Sequence, residues 1–210
     1  MPAAVAFRAF DEPKVVLQAS GALSHTELQQ FYDLESLPLL DEVSAENFMK
    51  YAMSGLPLAY YFVDPESPTR EAEIQKLTDV AKAFRGKVNM VSIDAIKFRS
   101  HAKALNLPGE TWPAFAVQNM ESGAKYPLSD LGQDLAASVR DFLTQFVDGK
   151  LQPSLKSGAI PEQTSPVVSV VTDEFDKWVF DDAKDVLLEL YAPWCGHCKL
   201  CLLYTSLSGL

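Results

Sequence analysis

Six consecutive residues, Leu58-Ala59-Tyr60-Tyr61-Phe62-Val63, are apolar or aromatic without a break. A strand with one wet face alternates apolar with polar, because successive side chains point to opposite sides. A run without alternation is the kind buried on both faces, and a sheet covered on both faces needs helices above and below it. The flanking sequence supplies them. Ser44 and Asn47 open a helix that runs through Met53 and is stopped by Gly55. Asp64 to Pro68 is a loop. Ile74, Leu77, Val80, Ala81 and Phe84 mark one face of a helix over 69–84. Further strands are expected at 37–40, 88–93, 112–117 and around 125–127, and further helices at 96–105 and 135–147. The order βαβαβαββα over residues 35–148 is one complete α/β domain. It contains no cysteine.

The segment before it, residues 1–34, reads as a strand over 3–10, a turn at Asp11-Glu12-Pro13 and a strand over 14–18. A helix then follows, opened by Ser24 with Glu27 three residues on, a capping box, and running to about Tyr32. The segment is too small to bury a core of its own. It is expected to be the closing part of a further domain, with a hairpin packed on its neighbour as the alternative. Residues 149–166 hold three prolines and two glycines and read as a linker. A strand over 167–171, a short helix over 173–179 and an apolar strand over 186–191 follow.

That last strand runs into Ala192-Pro193-Trp194-Cys195-Gly196-His197-Cys198-Lys199. If a helix begins after Cys195, its unpaired N–H groups and dipole favour a thiolate there. Cys198 lies one helical turn on, close enough to close a disulfide. Such a dithiol cycles between reduced and oxidised forms and exchanges with disulfides in other proteins. Cys195 is the expected nucleophile and Cys198 the resolving thiol. His197 holds positive charge near the thiolate, and Trp194 and Gly196 shape access. Glu189, in an otherwise apolar run, would have a raised pKa if buried and could accept the Cys198 proton; a solvated carboxylate at a strand edge is the alternative.

Tyr191-Ala192-Pro193-Trp194-Cys195-Gly196-His197-Cys198-Lys199 resembles the active-site signature of the protein disulfide isomerase family. The element order over residues 1–199 is also similar to that family. The resemblance implies thioredoxin-like domains in tandem, one complete and two partial. Residues 1–34 would close one domain, with Pro2 where the family carries the proline that opens that half. Residues 35–148 would form the non-catalytic, client-binding domain, 149–166 a linker, and 167–199 the start of a redox domain. The Trp112-Pro113 bond falls where thioredoxin folds carry a cis-proline. Leu39, Phe48, Leu56 and Tyr60 are candidates for an apolar client pocket, although such residues are more often core. The implied activity is formation, breakage and rearrangement of disulfides with chaperone-like client binding, in the lumen of the endoplasmic reticulum. The implied partners are unfolded or misfolded secretory proteins and a thiol oxidase of that compartment. No cofactor is expected. A non-catalytic client- or subunit-binding module is the rival class.

Residues 200–210 depart from the family pattern, with no charge after Lys199. They are expected to reflect a truncation or a sequence junction, with a genuine apolar tail as the alternative. A chain cut there is expected to show little turnover of scrambled disulfides.

The remaining classes fall to composition and spacing. A net charge of -10 argues against nucleic-acid binding, which needs a basic stripe. No apolar stretch is long enough to cross a membrane. The first ten residues lack the pattern of a signal peptide, and the last four are no retention signal. The three cysteines lie within 195–201, too clustered for a disulfide scaffold. Cys195, His197, Cys198 and Cys201 offer four ligands in seven residues. Structural zinc, however, takes two separated pairs, so no metal is expected. Haem attachment needs histidine directly after the second cysteine, and Lys199 stands there.

Overall fold

The computed structural model describes residues 2–164, 167–190, 192, 194 and 195. The chain divides into two compact units, one ending at Leu155 and the other beginning at Lys156.

The first unit opens with β1 (Ala3–Phe7) and β2 (Lys14–Gln18), paired antiparallel with Val5 opposite Val16. Helix α1 (His25–Glu35) begins at the capping box: Glu27 N–H donates to Ser24 Oγ, and Ser24 N–H donates to Glu27 Oε2 at 2.8 Å. These bonds hold the Glu27 carboxyl below its ordinary pKa.

The rest of the unit is β3 (Leu40–Glu42), α2 (Phe48–Ala52), β4 (Leu58–Val63), α3 (Arg70–Ala83), β5 (Asn89–Asp94), α4 (Arg99–Ala104), β6 (Ala114–Gln118), β7 (Lys125–Leu128) and α5 (Leu135–Val147). Five of these strands form one sheet in the order β3-β5-β4-β6-β7. β3, β5 and β4 run parallel, and β6 and β7 close it antiparallel. β4 is the middle strand, and each of its six residues is buried. Its side chains alternate between two cores. Ala59, Tyr61 and Val63 pack beneath α3 and α5 with Leu77, Val80, Val139 and Leu143. Leu58, Tyr60 and Phe62 pack beneath α2 and α4 with Tyr51, Ala102 and Leu105. The period of two in a run with no polar residue therefore fills both layers. Gly55, at φ +72°, turns the chain out of α2 and into β4, a backbone conformation that favours glycine.

Residues 1–35 are fastened to this sheet domain by charge. Glu35 is buried and accepts from Arg8 Nη1 at 2.5 Å and from Arg85 Nη2 at 3.0 Å. Arg85 also donates to the Leu34 and Leu37 carbonyls. Asp11 accepts from the Leu39 N–H at 2.8 Å, and Lys82 pairs with Glu12. Beyond α5, Ser154 N–H donates to the Lys125 carbonyl, and Asn106 Nδ2 donates to the Ser154 carbonyl, so the start of the expected linker lies against the sheet domain.

In the second unit a single 3-10 turn (Thr172–Glu174) leads into α6 (Phe175–Val179). The strands expected at 167–171 and 186–191 are not formed by the described residues there. A strand exists only through pairing, because its N–H and C=O groups need a ladder. Among the described residues, 186–190 pair with none, and all five are exposed. No helix of the described residues is long and apolar enough to cross a membrane.

Candidate functional site

Ala192, Trp194 and Cys195 are the described residues of the cysteine motif. The Cys195 N–H donates to the Ala192 carbonyl at 2.9 Å, closing a four-residue turn. Trp194 projects into solvent and Cys195 is half-buried. Cys195 is disulfide-bonded, and the chain's other two cysteines, Cys198 and Cys201, lie outside the described residues. Gly196, His197 and the tail 200–210 also lie outside them. Glu189 is exposed, so the burial that would make it a proton acceptor for Cys198 is absent. The reason is the unformed strand: no sheet of the described residues covers residue 189.

In the sheet domain the loop after β4 carries no sulfur. Asp64 builds it instead: its Oδ1 accepts the Glu66 N–H at 2.9 Å and its carbonyl accepts the Ser67 N–H at 3.0 Å. The Trp112-Pro113 peptide bond is cis, and Trp112 stacks on Phe62 at 6.0 Å between ring centroids.

The four apolar pocket candidates do not converge. Leu39 packs into the core beneath α3 and α5. Phe48 and Tyr60 pack into the core on the opposite side of the sheet. Tyr60 is fully buried and its hydroxyl pKa is pushed up to about 12 by burial alone. Leu56, in the turn before β4, is half-buried. What remains open on the α2/α4 side is a set of side chains that sequence reasoning passed over or mentioned only in passing: Met49, Met53 and Ile96 are exposed. His101 on α4 packs edge-on against Tyr60 at 4.9 Å, and burial, with Lys125 second, holds its pKa below the ordinary value.

On the other side of the sheet, the Tyr61 hydroxyl donates to Glu73 Oε2 at 2.6 Å. Burial first, and then Glu73, raise the Tyr61 pKa. A buried tyrosine O–H usually finds a partner, although the Tyr60 hydroxyl in the same strand has none among the described residues. That signal for Tyr61 was available in the sequence. The identity of the partner, twelve residues on, was not.

Residues 1–145 match the family model described as thioredoxin-like domain, and residues 166–204 match the model described as thioredoxin. The chain belongs to the thioredoxin-like domain family. Within it, the chain is similar to the protein disulfide-isomerase of Humicola insolens, 40% identical over 199 residues, which are 94% of this chain and 39% of that protein. The protein disulfide-isomerase of Saccharomyces cerevisiae is 36% identical over 204 residues, 91% of this chain and 39% of that protein. The chain thus spans about two fifths of the length of the curated relatives it matches. The resemblance to protein disulfide isomerase drawn from the cysteine motif therefore extends along the chain. Among solved structures, the crystal structure of the bb fragment of ERp72 superposes with a TM-score of 0.50 at 23% identity, covering 70% of this chain and 65% of that one. That likeness speaks to the fold.

Proposed function

We propose that the chain is part of a thiol–disulfide oxidoreductase and isomerase acting on secretory proteins in the lumen of the endoplasmic reticulum. The observation that carries this reading is the Cys195-Gly196-His197-Cys198 pair in a chain 40% identical over 199 residues to a protein disulfide-isomerase. In the reduced form the Cys195 thiolate attacks one sulfur of a client disulfide and expels the other as a thiolate. Cys198 then attacks the mixed disulfide, and the client leaves reduced by two electrons while Cys195 and Cys198 are left oxidised. Run backwards, the same steps oxidise a client, and a thiol oxidase of the compartment restores the chain's disulfide. His197 supplies positive charge that favours the thiolate.

Alkylation of the reduced full chain at pH 6.5 tests this. Cys195 is expected to react roughly tenfold faster than a cysteine in an unstructured peptide, as a lowered thiol pKa demands. Equal rates would remove the nucleophile from the proposal.

A second reading, client or subunit binding without catalysis, rests on a different observation. The sheet domain is complete, has no cysteine, and leaves Met49, Met53 and Ile96 exposed on its α2/α4 side. Methionine-rich surfaces adapt to varied apolar partners. Peptide binding that survives Cys195→Ser is the expected sign of this role.

A further inference from the structure

The sheet domain carries a cavity of about 420 Å³ at one end of the sheet, lined by residues of both cores: Leu107 and Ala114 from the α2/α4 side, Leu128, Leu131 and Leu135 from the α3/α5 side. Cavities of this order hold small molecules or one or two side chains of a peptide. It opens beyond the carboxyl end of β4, where β6 begins and β7 ends, a location where α/β sheets commonly place ligands. Its apolar wall is Leu107, Pro113, Leu128, Leu131 and Leu135. Two carboxylates also line it, Glu73 from the first turn of α3 and Asp130 from the loop after β7, with no lysine, arginine or histidine among the lining residues.

The charge there is unbalanced. Neither Glu73 nor Asp130 forms an ion pair among the described residues. Among the described residues the Glu73 carboxylate accepts from Tyr61, through Oε2. Asp130 is exposed and uses Oδ1 to accept the Gly132 N–H at 2.8 Å. The N-terminal turns of α3 and α5 reach this end of the sheet, and each helix start carries roughly half a positive charge. Together they offset about one of the two carboxylate charges, so the cavity stays negative.

We infer that this cavity binds an extended peptide segment that presents a lysine or arginine between apolar residues. The cation meets Glu73 and Asp130, and its apolar neighbours lie against Leu128, Leu131 and Leu135. Tyr61 anchors Glu73 from within the sheet, so the carboxylate is preorganised. Its lining includes no residue of the cysteine motif and none of the exposed methionines, and the inference does not rest on the disulfide-exchange reading.

Three acetylated, amidated tripeptides test it against the full chain by NMR titration: Leu-Lys-Leu, Leu-norleucine-Leu and Leu-Glu-Leu. The lysine peptide is expected to shift the amide resonances of Leu128, Leu131 and Gly132. It should bind roughly tenfold more tightly than the norleucine peptide, the range of one hydrogen bond to a charged group. Glu73→Gln, which keeps an acceptor for Tyr61, should erase most of that difference. Equal binding of the lysine and norleucine peptides, tighter binding of the glutamate peptide, or shifts confined to other surfaces would overturn the proposal. The comparison of peptides on the unaltered chain decides the matter even if Glu73→Gln fails to fold.

Discussion

Residues 58–63 and 186–190 are both short and largely apolar, and they are opposite in fate. Residues 58–63 are richer in aromatics and 186–190 in leucine, and each run has a proline within three residues of its end in the sequence. The first is the central strand of a five-stranded sheet, with Phe62 fully buried. The second lies open, with Leu187 at 95% and Leu190 at 83% of full exposure. The difference is made by neighbours: β4 has β5 on one edge, β6 on the other, and helices on both faces. A strand's apolar content is a demand for partners and does not itself provide them.

The comparison breaks first if the centre of the sheet tolerates a cavity. Phe62→Ala removes a ring that contacts Trp112 and His101 and is expected to cost about 4 kcal/mol, in the range for buried aromatic truncation. Urea denaturation followed by circular dichroism measures it. A loss under 1 kcal/mol would mean that β4 is not the keystone. The charged fastening is next. Glu35→Ala leaves Arg8 and Arg85 facing each other without their shared carboxylate. The expected cost is about 3 kcal/mol, the scale of breaking a buried ionic group from one side. Glu35→Gln should recover part of it.

A gentler probe is pH. His101 is held below the ordinary imidazole pKa of 6.5, by burial and then by Lys125. Between its folded and unfolded values the unfolded chain binds the extra proton, so stability is complete above pH 6.5 and falls as pH drops below it. Glu12, Glu27 and Asp181 are held below their ordinary carboxylate values and titrate at lower pH. Denaturation at pH 7.5 and 5.5 should show a decrease that His101→Gln flattens. An unchanged slope in that variant would show that another group carries it.

Much of the sheet domain was legible because its signals were redundant. The run at 58–63 asked for two covers, and the helix faces at 69–84 and 135–147 supplied one of them. Tertiary packing trimmed the edges: α4 begins at Arg99, not 96, because Asp94 Oδ1 accepts the N–H groups of Ile96 and Lys97 in a turn. The pocket candidates were less legible. Leu39, Phe48 and Tyr60 share a type, but Leu39, in the bend before β3, packs on one side of the sheet and Phe48 and Tyr60 pack on the other. The Arg8–Glu35–Arg85 cluster joins residues far apart in the chain, and no local pattern announces such a triad. The expected burial of Glu189 depended on a strand over 186–191 that the described residues there do not form.

The smallest expected effect is the most telling for the comparison. Leu187→Ala removes as many carbons as a substitution in β4 that costs several kcal/mol in a well-packed core. At an exposed position it should change stability by no more than about 0.5 kcal/mol. The same denaturation experiment reads both. A loss near 3 kcal/mol at Leu187 would mean that residues 186–190 are packed in solution, and exposure could then no longer separate the two runs. A null result there beside a large one at Phe62 would make burial by sheet neighbours, rather than composition, the cause of the difference.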